Sequence, residues 1–147
     1  MTGADRLLRE IAALVEHYLL EWDSRGWPSA YHSLIELGPE ALRALERRFA
    51  ESRDQRFRAT IVELARQFHS RESLPLFAAA LHDAASEVWK GALDGLVDLA
   101  SPESISLLEE ALKQGPPGHT PSTEWVSWLA EALEQARLAL AARGGVA

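Results

Sequence analysis

The sequence predicts an all-α chain made of repeated helical hairpins. Three observations carry that prediction. Two apolar rows alternate along the chain and recur at a nearly constant interval. Helix start and stop signals fall at the joints between the rows. No segment shows the period-2 alternation of a half-buried strand.

The first row places apolar residues at i, i+3 and i+7, which is one stripe of a helix. It reads Leu42, Leu45, Phe49, then Leu74, Phe77, Leu81, then Ile105, Leu108, Leu112, so the copies start 32 and then 31 residues apart. The second row begins with an aromatic residue and continues at i+4 and i+7. Its copies are Trp27, Tyr31, Leu34; Phe57, Ile61, Leu64; Trp89, Leu93, Leu96; and Trp125, Leu129, Ala132. The last interval is lengthened by Gly115-Pro116-Pro117-Gly118. A single hairpin cannot bury such a face alone, so neighbours must stack on it.

The joints agree with the rows. Gly38 suits the left-handed end of one helix and Pro39 the opening of the next. Ser101-Pro102-Glu103 reads as a cap, a first-turn proline and a carboxylate that complements the helix dipole. Thr120-Pro121 repeats that start. The expected helices cover 5–22, 28–37, 39–50, 55–69, 72–82, 86–99, 102–114 and 121–141. They form one domain over 1–143, with a frayed tail at 144–147 that Arg143 introduces.

Composition narrows the function. The chain has 147 residues, 47% of them apolar, which suffices for one core. Its apolar runs, such as Leu76–Leu81 and Leu138–Ala142, are too short to span a bilayer. The acidic start (Asp5, Glu10, Glu16) lacks signal-peptide anatomy, so a soluble cytoplasmic protein is expected. With no cysteine, thiolate metal sites and cysteine nucleophiles are excluded. The net charge is −7, and six of those charges lie beyond residue 73. Such a surface repels nucleic-acid phosphates and suits a basic protein partner.

Two segments carry a family resemblance. Leu37-Gly38-Pro39-Glu40-Ala41-Leu42 resembles the junction between successive HEAT repeats. Leu74-Pro75-Leu76-Phe77, Leu81-His82-Asp83 and Glu87-Val88-Trp89-Lys90 are together similar to that family's most recognisable stretch, best over 37–112. The resemblance implies a right-handed α-solenoid of about four hairpins, with second helices on the concave side, used as a scaffold for another macromolecule. Small acidic members resemble immunity proteins that neutralise a cognate toxin. The alternative is an adaptor or subunit that docks a larger enzyme, including bilin-lyase-like HEAT proteins. The DNA-repair glycosylase with HEAT-like repeats needs a broadly basic concave face, which the second half of this chain lacks.

No catalytic set stands out, so the chain is expected not to be an enzyme and to need no cofactor or metal. The five histidines lack the i, i+4 spacing of a helical zinc site. In Gly115–Gly118 the prolines remove the N–H groups that a phosphate loop would use. The basic stretch from Arg43 to Arg58 is interleaved with Glu40, Glu46, Glu51 and Asp54; Arg47 stands four residues before Glu51, as a local ion pair requires. Trp27, Trp89 and Trp125 sit on the core row, whereas Trp22 and Trp128 lie off it, as interface anchors do. With Trp89, Leu93 and Leu96 pointing inward, Glu87, Gly91, Asp94 and Asp98 line another side of their helix, and Glu131 and Glu134 hold the comparable part of the last helix. The expected partner-binding set is therefore Asp94, Asp98, Glu131, Glu134, Trp128 and Trp22, in a protein that is monomeric when free.

Overall fold

The computed structural model describes residues 2–25, 27–118 and 122–144; the side chains of Ala4, Leu7, Leu8, Tyr18, Leu19, residues 21–31 and Ser122 lie outside that description. Among the described residues there are eight α-helices and no strand. The chain divides into two compact units, Met1–Ser52 and Arg53–Ala147.

The first unit holds α1 (Gly3–Arg25), α2 (Trp27–Glu36) and α3 (Glu40–Glu51), with α1 packed on both others. Ile11 and Val15 of α1, Leu34 of α2, and Leu42, Leu45 and Phe49 of α3 are buried. Gly38 takes φ +81° between α2 and α3, a conformation in which its missing Cβ removes the clash. Pro39, expected as the first helical residue, instead precedes α3 with helical φ −60°. The expected Arg47–Glu51 pair does not form. Arg48, half-buried, reaches Glu16 of α1 at 2.7 Å and Glu51 at 3.9 Å, while Arg47 stays exposed.

The second unit holds α4 (Gln55–Arg66), α5 (Leu74–Ala80), α6 (Ser86–Leu99), α7 (Pro102–Gln114) and α8 (Ser122–Gly144). Helix α6 lies between α4 and α8, and α5 lies beside α7; α5 packs on α6 and α7 on α8. The second row fills the core: Ile61, Leu64, Trp89, Leu93, Leu96, Trp125, Leu129 and Ala132 are all buried. The first row is only partly inside. Phe77, Leu81 and Leu108 are buried, but Leu74, Ile105 and Leu112 are half-exposed. Leu74 instead lines a shallow groove between α5 and α7 with Pro75, Ala78 and Leu107.

Caps fix the joints. Asp54 accepts the N–H groups of Arg56 and Phe57 at the start of α4. Ser101 accepts the N–H of Ser104 at 3.1 Å, and Pro102 opens α7, as the sequence pattern requires. Helix α4 ends at Arg66, short of the expected 69, because the chain turns at Gln67 and Phe68 and His69 adopts φ +48°. A 3-10 turn (Arg71–Ser73) then leads into α5. The Thr120-Pro121 start signal lies outside the described residues, as does the tail beyond Gly144. Arg143 and Gly144 belong to α8 rather than to a frayed end. Arg143 Nη1 donates to the Leu99 carbonyl at 2.9 Å, placing a cation at the carbonyl end of α6, where the helix dipole favours it.

Candidate protein-binding face

The repeat register builds the site. Trp89 and Trp125 are both fully buried and start equivalent rows on α6 and α8. Counting nine residues on from the aromatic gives Arg66 on α4, Asp98 on α6 and Glu134 on α8, all opposite the buried stripe. The outer face of these helices therefore carries a charged ladder, one rung per repeat.

The rungs interact. Arg66 Nη2 meets Asp98 Oδ2 at 3.1 Å, its Nη1 meets Glu63 of its own helix at 2.9 Å, and Asp94 stands 3.9 Å away. Arg66 thus sits among three carboxylates. Partial burial works against its charge, but Glu63 and Asp98 more than offset that and raise its pKa. Asp94 is the least matched of the three. Partial burial, then the charges of Asp98 and Glu63, push its carboxyl above the usual aspartate value despite Arg66. Its side chain remains 61% exposed.

Of the expected partner-binding residues, Asp94, Asp98, Glu131, Glu134 and Trp128 are all exposed, and Trp22 lies outside the described side chains. Asp98 is not a free charge, because Arg66 holds it. Glu131 accepts a weak hydrogen bond from Gln135 Nε2 at 3.4 Å. Glu87 is exposed as expected, but Gly91 sits at the seam with α4, where a Cβ would stand 3.1 Å from Val62 Cγ1. Trp128 is 44% exposed. Its ring meets Trp89 nearly edge-on, with centroids 6.3 Å apart, and Lys90 Nζ lies 4.5 Å from its centroid. Glu124 holds Lys90 at 3.0 Å. The indole is therefore a half-open apolar surface braced from one side by a cation.

Three participants escape a reading of the rows alone. Arg66 is found only by carrying the register of Asp98 back to α4. Lys90, the basic residue after Trp89, turns out to cover Trp128. Asp83 pairs with Arg58, bidentate at 2.8 and 3.2 Å, and also accepts the Ala85 N–H at 2.9 Å. Arg58 follows Phe57 as Lys90 follows Trp89, which is the signal that would have identified it.

A family model described as HEAT repeats matches residues 42–134, which is 93 of the 147 residues. The chain belongs to the HEAT-repeat family. The match covers α4 to α7 and the charged ladder through Glu134. No curated protein and no solved structure matches it. Among the described residues of this HEAT-repeat chain, no group of three or more His, Asp or Glu is placed to hold a metal ion, and no helix is long and apolar enough to cross a membrane. What the face offers is a set of carboxylates on packed helices, able to accept hydrogen bonds from lysine or arginine, beside an aromatic surface.

Proposed function

We propose that this HEAT-repeat chain works by binding, not by catalysis, and that it holds another protein against the outer face of α6 and α8. The partner offers a basic surface. The most concrete form of this reading is an immunity protein that covers the basic active cleft of a cognate toxin. The observation that carries it is the surplus of carboxylates on that face: Glu87, Asp94, Glu131 and Glu134 are exposed, and Arg66 is matched by Glu63 and Asp98. The family's use as a scaffold and the acidic charge of the second half support the same reading.

Complementary charge chiefly speeds encounter and selects the partner, while a central aromatic residue slows dissociation. The test is association kinetics with the partner recovered from the native host, at two ionic strengths. Neutralising substitutions Asp94→Asn, Glu131→Gln and Glu134→Gln, which leave the Arg66–Asp98 pair in place, should together slow association and flatten its salt dependence. Trp128→Ala should mainly speed dissociation. An on-rate and salt slope equal to wild type would reject this face. For the toxin reading, the triple variant should also weaken inhibition of the partner's activity; a partner whose activity the chain leaves untouched would point to the adaptor role.

A further inference from the structure

In the first unit, α1 and α3 enclose a cleft of about 680 Å³. Arg9 of α1 and Arg43 and Arg47 of α3 line it, with Asp5 and Glu40. We propose that this cleft binds a phosphomonoester through Arg9, Arg43 and Arg47, independently of the acidic face of the second unit.

The arginines outnumber the two carboxylates of the cleft and are not paired with them. Among the described residues none of the three has a carboxylate within ion-pair distance, whereas their neighbour Arg48 has two. Arg43 and Arg47 stand at i, i+4 on one helix, a spacing at which like charges repel, and Arg9 adds a third cation from across the cleft. Asp5 is engaged elsewhere: it accepts the Thr2 hydroxyl at 2.8 Å and the Thr2 N–H at 3.2 Å. Three guanidinium groups against the two carboxylates of Asp5 and Glu40 leave the concavity a net positive charge, which an anion completes.

The number of forks selects the anion. One arginine satisfies a planar carboxylate with two parallel hydrogen bonds. Three arginines from two helices match a tetrahedral dianion with three free oxygens. The volume lies within the range of small-ligand pockets, roughly 300–1,000 Å³. The phosphate thus arrives on a larger body, either a small organic molecule or a phosphorylated side chain of a protein segment.

The experiment is calorimetric titration of the full chain at constant ionic strength. The probes are inorganic phosphate, a phosphoserine peptide and the same peptide unphosphorylated. A phosphate-bearing probe should saturate, and binding of the phosphopeptide should tighten as pH rises through about 6, where phosphoserine gains its second charge. Arg9→Gln, and the double variant Arg43→Gln with Arg47→Gln, should each weaken binding at least about tenfold, as the loss of charge-assisted hydrogen bonds implies. Arg53→Gln, which removes one exposed charge outside the cleft, should change it less than about twofold. Nε–H signals of Arg9, Arg43 and Arg47 in the wild type should shift on saturation, which reads the site without any substitution. Saturation by the phosphopeptide alone assigns the site to a protein segment; saturation by inorganic phosphate as well shows that the phosphate group alone is read, as for a small phosphorylated ligand. The proposal is overturned if no phosphate-bearing probe saturates, if the unphosphorylated peptide binds equally well, or if Arg53→Gln weakens binding as much as the cleft variants.

Discussion

The indole N–H of Trp125 donates to the Leu81 carbonyl at 3.1 Å, tying α8 to the C-terminal end of α5. That carbonyl belongs to the last turn of a short helix, where backbone acceptors have no intrahelical donor. Trp89, equally buried and at the equivalent register, has no acceptor for its Nε1 among the described residues. Phenylalanine at either position loses comparable area, but only Trp125→Phe leaves a buried acceptor unpaired. Trp125→Phe is expected to cost about 1–3 kcal/mol more than Trp89→Phe, the penalty for an unsatisfied buried polar group. Urea unfolding of the two variants measures the difference; equal losses would mean that the Trp125 bond adds nothing.

Gly95 faces the Phe77 ring so closely that a Cβ would fall 2.5 Å from Cζ. Helix α6 can approach α5 only because nothing projects there. Gly95→Ala gains about 1 kcal/mol of helix propensity. It also forces the ring or the helix to move, and such overpacking costs about 1–3 kcal/mol. The net is a loss of stability. Phe77→Leu in the same chain should make the two substitutions less costly together than the sum of each alone, a coupling that a double-mutant cycle reads directly.

Arg58 and Asp83 form the most buried ion pair among the described residues, with side chains 15% and 9% exposed. The bidentate geometry and the Ala85 N–H satisfy the carboxylate, so the pair connects the start of α4 to the entry of α6. Removing Asp83 takes the bidentate carboxylate from a poorly solvated guanidinium and the side-chain acceptor from the Ala85 N–H. Asp83→Ala is expected to cost about 3 kcal/mol. The exposed pair Arg71–Glu103, similar in length at 2.8 Å, should be worth less than about 1 kcal/mol. Thermal unfolding of Asp83→Ala and Arg71→Ala separates them.

The second apolar row could be read from the sequence because its periodicity is enforced by burial: a residue in the wrong place would carry a polar group into the core. Every described member of that row except Phe57, which is half-exposed, is buried. The first row was less legible, since Leu74, Ile105 and Leu112 keep helical spacing while lying at the edge of the core. The exposure of Asp94, Asp98, Glu131, Glu134 and Trp128 followed from the same wheel. Their partners did not, because a contact between helices depends on how far one helix slides along another, which spacing within a helix does not encode. The repeat period still leaves a trace: Arg66–Asp98 and Arg71–Glu103 each join residues 32 positions apart, one repeat along the chain. Arg47–Glu51 failed for the opposite reason, since spacing within α3 allowed it but Arg48, turned toward α1, engages Glu51 instead.

Two carboxylates with opposite shifts give stability a defined pH dependence. The Glu103 carboxyl lies below the usual glutamate value of 4.5, chiefly because its own backbone N–H at the start of α7 bonds the carboxylate, with help from Arg71 and Ser101. A depressed acid contributes stability that is present above its unfolded pKa and lost as pH falls through its folded pKa. Glu103→Gln should therefore lower the melting temperature at neutral pH, with the gap to wild type closing in acid. Asp94 runs the other way. Its folded pKa lies above 3.8, so between the two values the folded state holds more protons than the unfolded one, and stability falls as pH rises through that window. Asp94→Asn should raise the melting temperature slightly at neutral pH and match wild type below about pH 3.8. Carbon-13 titration of the two carboxyls checks both signs, with a midpoint above 3.8 for Asp94 and below 4.5 for Glu103. The same titration in the presence of the partner bears on function. A lysine or arginine set against Asp94 supplies the cation that Arg66 only partly provides, so binding should draw the Asp94 midpoint down and leave that of Glu103, on α7, where it was.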